Sequence, residues 1–450
     1  MKRQTEKYSL YSSVGRSLLA ALGAVTLMTA CGNDSDPAET ATADSADSVV
    51  PAPATAARTS PSSASADLEA RHSEPSGYSV RDSAGIQVIE TAGSAWTEET
   101  AWTVGPEPLA SLGGERTGGT SLHGAGRIVI LSSGGFVVAH PQGSQLVWFD
   151  PNGRFQHAAG HLGRSPGAFM IVGDILAMPG DSVLAVDPEV RRVSVFGPDG
   201  EFARLESIDF REAGSPSAVS VLSDGTILGT KEFEFEEGMS AGLNRDSVPL
   251  VILQPGGGFT NTRTLFPTSQ HWLFEFGEGL AGGPAPFGAE SHVAGTVDGF
   301  WFGSGDTAEI TYHGADGRLQ KILRWQGSAE PLPAERFEKF EADAMAAAAR
   351  NGAALAEMRN FLRDLPSPDT TPYLGGMIVD PDGRLWIRPY HVWTEQAGGW
   401  WTVFDADGRR MGMVEIPAGF EIRAIGSDRI YGVWTAEDGV ESVRVYALNK

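Results

Sequence analysis

Arg388, Tyr390 and His391 fall within four residues, directly after the apolar run Leu385 to Ile387. A guanidinium, a phenol and an imidazole so close together suit recognition of a carboxylate or a sugar, because hydrogen bonds to charged groups are the stronger kind. His140 and Asp187 end two other apolar runs, Phe136 to Ala139 and Val183 to Val186, and His161 and Arg164 lie between those runs. Each of these residues also suits a rim position satisfied by local hydrogen bonds. As a group they are the candidate ligand site of the chain. Two spacings imitate catalytic signatures without their mechanics. Gly163-Arg164-Ser165-Pro166-Gly167 has the form of a nucleophile elbow, but Pro166 has no N–H to offer an oxyanion. Asp405-Ala406-Asp407-Gly408 starts like a calcium loop, yet the later ligand positions are not filled in order. Of the nine histidines only His157 and His161 have the His-x-x-x-His spacing, and no cysteine is near them to complete a ligand set. The catalytic set is therefore empty and no cofactor is expected. A calcium or zinc ion held by donors from separate segments stays open as the alternative.

Cys31 is the sole cysteine, which excludes an intramolecular disulfide. It follows a basic stretch (Lys2, Arg3, Lys7, Arg16) and an uncharged run from Ser17 to Ala30. That run is too short to span a bilayer and suits the apolar part of a secretion signal. Met28-Thr29-Ala30-Cys31 resembles the bacterial lipobox, with Met28 in the usual Leu position. The resemblance implies cleavage after Ala30 and a diacylglyceryl group on Cys31; the other reading is an ordinary signal cut nearby, leaving a free thiol. Gly32, where an Asp would favour inner-membrane retention, leans towards the outer membrane by the same resemblance.

Net charge is −23 overall, with +3 in residues 1–30 and −6 in 31–78, which leaves −20 on the remainder. So acidic a surface repels nucleic acid and anionic headgroups, so neither is an expected partner and the lipid is the expected membrane contact. Residues 31–77 are rich in Ala, Ser, Thr, Asp and Pro and hold few large apolar side chains. Such a segment reads as a disordered tether with a reach of roughly 35–40 Å.

From Tyr78 onward, short strands rich in β-branched and aromatic residues alternate with Asp-Gly or Asn-Gly turns, as in Asp150-Pro151-Asn152-Gly153, Asp199-Gly200, Asp316-Gly317 and Asp407-Gly408. Strand–turn–strand units recur near residues 127–158, 171–206, 218–266, 291–325, 373–416 and 422–448. Self-similar units at this spacing predict an all-β, six-bladed β-propeller of four-stranded antiparallel blades over 78–450. The early strands Ile86 to Ile89 and Trp102 to Val104 are expected to close the ring by pairing with the last blade. Asp82-Ser83-Ala84-Gly85 and the run Gly160-His161-Leu162-Gly163-Arg164-Ser165-Pro166-Gly167-Ala168-Phe169 resemble bacterial propeller lipoproteins of the NHL/TolB-like group. That resemblance implies a fold and says little about activity.

With strands lettered a to d from the centre outward, the Asp-Gly turns are all a–b or c–d hairpins on one face. The long insertions fall on the other face: 230–248 in a b–c loop, and 267–290 and 327–372 in d–a loops. Residues 327–372 carry the helical periodicity, with Phe337, Phe340, Ala344, Met345 and Ala348 on one stripe. The seven candidate residues share the insertion face. The expectation is a lipid-anchored cell-envelope module that binds a peptide, glycan or protein there. The alternative is a metal-dependent hydrolase or lactonase with its centre in the channel.

Overall fold

The Asp-Gly turns close by one shared pattern of hydrogen bonds in the computed structural model, which describes residues 77–113, 122–206, 213–214, 216–231, 233, 239–277, 279–350 and 355–450. Asp150 Oδ1 accepts from Asn152 N and Arg154 N at 2.8 Å each. Asp380 Oδ1 accepts from Asp382 N at 3.0 Å and Arg384 N at 2.9 Å, and Asp405 Oδ1 from Asp407 N at 3.0 Å and Arg409 N at 2.8 Å. A carboxylate that mimics a backbone turn this way fixes the bend. Gly153 and Gly408 supply the φ of +76° and +83° that complete it. Such turns pin the register of the strands they join. The signal segment, Cys31 and the tether lie outside the described residues.

Three strands precede the repeats: β1 (Gly77–Ser83), β2 (Ile86–Ala92) and β3 (Thr103–Leu112). The first sheet is β4 (Ile128–Ile130), β5 (Phe136–His140), β6 (Gln145–Phe149) and β7 (Phe155–Ala159); the second is β8 (Ile175–Ala177), β9 (Val183–Asp187), β10 (Arg192–Phe196) and β11 (Phe202–Glu206). The third holds β12 (Ser217–Val221), β13 (Ile227–Thr230), β15 (Ser247–Leu253) and β16 (Phe259–Pro267), with β14 (Gly242–Asn244) in its b–c connection. After β17 (His271–Phe276) and β18 (Gly279–Pro284) comes the fourth, β19 (His292–Gly295), β20 (Gly299–Gly303), β21 (Glu309–Gly314) and β22 (Leu319–Trp325). The fifth is β23 (Gly376–Val379), β24 (Leu385–Arg388), β25 (Gly399–Phe404) and β26 (Arg410–Ile416). In the last, β27 (Phe420–Ile425), β28 (Arg429–Thr435) and β29 (Glu441–Asn449) are completed by β3, antiparallel to β29. The chain is thus mostly β, built of four-stranded antiparallel meanders.

First strands neighbour one another in chain order, and β27 lies beside β4. Apolar side chains fill each gap between consecutive sheets. Phe169, Ile175 and Phe196 pack with Val137 and Trp148 between the first and second, and Phe136, Val138 and Phe149 pack with Tyr431, Val443 and Val445 between the last and first. Full burial of one such side chain stabilises by about 1.5–3 kcal/mol.

The strand Ile86 to Ile89 does not join the last sheet. β2 runs parallel to β22, Gln87 opposite Lys321 through Thr91 opposite Trp325, and β1 adds a sixth strand outside it. The reason is burial: Ile89, 1% exposed, enters the core shared by the fourth and fifth sheets with Leu323, Leu385 and Phe404. Beyond it the chain straps the fifth sheet, with Ala95 N and Trp96 N donating to the carbonyls of Arg410 (3.1 Å) and Met411 (2.7 Å). It then reaches the last sheet as β3. The N-terminal segment therefore binds three consecutive sheets.

The long insertions also acquire structure together. β14, β17 and β18 form a small antiparallel sheet. Between the fourth and fifth sheets lie α1 (Ala334–Arg350) and α2 (Leu355–Leu362), where the helical period placed them. Pro333 precedes α1, Glu335 sits in its first turn and Arg350 in its last, each favourable to the helix dipole. Phe337, Phe340, Ala344 and Ala348 face the same core as Met358 and Phe361 of α2 and Trp272 and Phe274 of β17. Trp272 Nε1 donates to the Phe361 carbonyl at 2.8 Å. Arg245 fastens this cap to the scaffold: its Nη1 is 2.8 Å from both Asp306 oxygens and its Nε donates to the Thr268 carbonyl at 2.6 Å. No helix among the described residues is long and apolar enough to cross a membrane.

Candidate functional site

Within each four-stranded meander the b–c and d–a connections emerge at the end opposite the Asp-Gly hairpins. Among the described residues, no hydrogen bond or ion pair joins any two of the seven candidate residues, and the structure gives them different roles. Asp187, 1% exposed, accepts from Met170 N (2.7 Å), Glu189 N (3.1 Å) and Val190 N (3.2 Å). It closes its own turn and pins the 160–174 connection. That connection wedges Phe169 against Phe196, ring centroids 5.8 Å apart, and Arg192 holds it by donating to the carbonyls of Arg164 (2.6 Å) and Ala168. Its Gly-x-Ser-x-Gly stretch is a turn, with Ala168 N donating to the Ser165 carbonyl at 3.0 Å. His161 and Arg164 stand exposed on it. His140 is buried at the end of β5, its Nδ1 without a partner, and burial lowers its pKa, which keeps the ring neutral.

Around residues 388–395 the geometry is richer. Arg388 donates to the Gly375 carbonyl. Tyr390 is buried in the cap core, and its hydroxyl accepts the Phe287 amide at 2.8 Å. Burial drives its pKa far above the ordinary phenol, so it neither ionises nor reaches solvent. His391 is held neutral by burial first and by the Arg388 charge second. Tyr390 thus spends its polar atom on the fold, whereas Arg388 and His391 stay close enough to influence each other.

Arg336, Glu395 and Val392, absent from the sequence-level candidates, complete this corner. Arg336 of α1 grips Glu395 in a fork, Nε to Oε1 at 2.7 Å and Nη2 to Oε2 at 2.9 Å, and Val392 N donates to the same carboxylate at 3.1 Å. Burial pushes Glu395 up, but the hydrogen bonds and charge of Arg336 outweigh it and hold the carboxyl below its usual range. The guanidinium lies over the Phe287 ring, 5.7 Å from its centroid, and Trp393 meets Phe340 edge-on at 5.4 Å. Arg336 and Glu395 are 59 residues apart, a separation that hides the pair from local pattern reading. A forked guanidinium, an amide and aromatic walls are the chemistry of carboxylate and polar-ring recognition.

The opposite face is built of hairpins whose Asp oxygens are occupied by backbone N–H groups, as Asp405 shows, which leaves the calcium-loop spacing a turn. Among the described residues, no group of three or more His, Cys, Asp or Glu is placed to hold a metal ion.

No protein-family model matches the chain, and no curated protein matches it. Solved structures do. A protein of Bacteroides fragilis described as exported aligns at 13% identity and a TM-score of 0.45, over 81% of this chain and 99% of that one. A gluconolactonase of Xanthomonas campestris aligns at 13% identity and a TM-score of 0.37, over 77% of this chain and 96% of that one. A catalytically inactive virginiamycin B lyase variant of Staphylococcus aureus aligns at 11% identity and 0.37, over 71% and 80%. At these identities and TM-scores none of them transfers a function to this chain.

Proposed function

We propose that this chain is a cell-envelope binding module: a six-bladed β-propeller over residues 78–450, closed by β3 in the last blade and carried on a tether (31–77) from a lipidated Cys31. Its outer-membrane placement rests on the Gly32 resemblance. Support for the ring comes from six consecutive meanders whose first strands neighbour one another, with β27 beside β4. The ligand is a peptide, glycan or protein partner, bound on the insertion-bearing face.

One observation carries that choice of face. Insertions from the third and fourth sheets and the b–c loop of the fifth, far apart in the chain, build one cap with its own apolar core. They meet at a partly exposed corner that combines Arg336, Glu395, Arg388 and His391. Elaborated loops on a rigid scaffold are where binding residues concentrate. The hairpin face offers short turns with occupied carboxylates. A metal-dependent hydrolase would need a donor set that the described residues do not assemble.

The test is titration of the purified mature protein with soluble peptidoglycan fragments, neutral and acidic oligosaccharides, and short peptides, read by calorimetry. Binding lost in Arg388→Ala and His391→Ala but kept in Asp407→Ala supports the reading. Binding abolished by a chelator, or lost only in Asp407→Ala, contradicts it.

A further inference from the structure

The Arg336–Glu395 pair has the geometry of a ligand site already filled from within. Both nitrogens of the guanidinium fork meet both carboxylate oxygens, at 2.7 and 2.9 Å, and a backbone N–H at 3.1 Å adds a third donor to the same anion. This is how a protein recognises a carboxylate in planar, two-point fashion. The two side chains keep 24% and 27% of their exposure, so the pair stands at the surface of the cap. Phe287 supports the guanidinium from beneath, and Glu330 Oε2 stands 3.9 Å from Nη1.

The loop that delivers Glu395 is poorly satisfied in this arrangement. Trp393 Nε1 and Thr394 Oγ1 are buried without a hydrogen-bond partner, and His391 Nδ1 has none of good geometry, the Pro389 backbone being its nearest polar neighbour. Buried polar groups are nearly always paired, and orphans are costly. Three such polar atoms thus lie within four residues of the loop that carries Glu395. A pair serving stability alone gives no reason for orphans to gather beside it.

We propose that Glu395 is an internal stand-in for a ligand carboxylate, and that Arg336, the Val392 N–H and the unsatisfied 391–394 donors form a carboxylate-binding site from which Glu395 is displaced. Swinging the Glu395 side chain outward frees the fork without moving the backbone. The ligand is then an acidic sugar or a peptide carboxyl terminus, presenting one carboxylate to Arg336 and polar groups to His391, Trp393 and Thr394. Because Glu395 competes for the fork, it lowers apparent affinity by the fraction of time the site stands open. This deepens the insertion-face reading and rests on it.

The experiment titrates the full mature protein with glucuronate and with N-acetylglycine, using their methyl esters as controls, by calorimetry. Removing the competitor in Glu395→Gln should tighten carboxylate binding about 10-fold or more, by analogy with a pre-organising mutation that removes the competent-state penalty. The esters should stay inactive, and Arg336→Lys combined with Glu395→Gln should lose the gain. If Glu395→Gln folds poorly, Glu395→Asp, which keeps the charge but shortens the reach, should tighten binding in the same direction but by less. Variants that bind glucuronate and N-acetylglycine no better than wild type overturn the proposal. Neutral oligosaccharide binding at Arg388 and His391 with no carboxylate preference in any variant overturns it too, while leaving the binding module standing. Loss of all binding to this face fails both.

Discussion

Replacing Tyr390 with Phe removes one oxygen from the centre of the cap, and its effect separates a structural role from a ligand role. That oxygen accepts the Phe287 amide at 2.8 Å. Phe287 is 2% exposed and sits at a φ of +58°, in the left-handed region that a bulky side chain rarely adopts. Holding it there costs about 1–3 kcal/mol, which the surroundings must offset. The surroundings are visible: its ring packs on Phe337 (5.8 Å), Phe340 (5.5 Å) and Tyr390 (6.1 Å). Without the hydroxyl the Phe287 N–H is buried and unpaired, a loss of about 1–3 kcal/mol. At ~2.1 cal/mol/K per residue over about 370 residues, the unfolding entropy is roughly 0.8 kcal/mol/K, so the midpoint should drop by about 1–4 °C. The assay is paired thermal unfolding of wild type and Tyr390→Phe, with hydrogen exchange across residues 285–290 and 389–395. The variant should exchange faster in both segments, with ligand affinity unchanged once the protein is folded. Unchanged melting and exchange with lost ligand binding would refute the structural assignment and return Tyr390 to the binding site.

Burial lowers the pKa of His140, His157, His271, His313 and His391, so the unfolded chain binds more protons around their ordinary value of 6.5. Their contribution to stability is full above that value and fades as pH falls through it, so the melting midpoint should decline between pH 7.5 and 5.5. A flat profile over that window contradicts the neutral buried rings. Phe340→Ala empties the cap core, where Phe340 is 2% exposed, and should cost about 3–5 kcal/mol; denaturant titration checks it. Trp96→Ala should cost a similar amount (about 3–5 kcal/mol) by loosening the strap against the fifth sheet, and proteolysis after Ala92 is the sensitive readout. Chelator treatment should leave the melting midpoint unchanged, and a clear drop would revive a bound metal.

What local chemistry decides was legible in the residues. Asp150-Pro151-Asn152-Gly153 and its counterparts dictate a hairpin because the Asp oxygen and the positive-φ glycine act within five residues. The lettering of strands, and with it the division into a hairpin face and an insertion face, followed from those turns. The two helices were legible for the same reason, from the spacing of Phe337, Phe340 and Ala344. Long-range pairings were not. Ile86 to Ile89 is an apolar strand that suits any unpaired edge, and only the space for Ile89 beside Leu323 and Phe404 selects β22. Tyr390 looked like a ligand residue because its partner, the Phe287 amide, lies 103 positions away. Arg336 lies on a helix described only by its apolar stripe, and its partner Glu395 is 59 positions away.

The claim that the insertion-bearing face meets the ligand is tested most directly in the living cell. A photo-crosslinking residue placed at Gln396, exposed in the cap loop, is compared with one at Asn152, exposed in a hairpin of the opposite face. Irradiation should yield a discrete adduct to an envelope component from position 396 and none from position 152. An adduct from position 152 alone, or none from either, would contradict it.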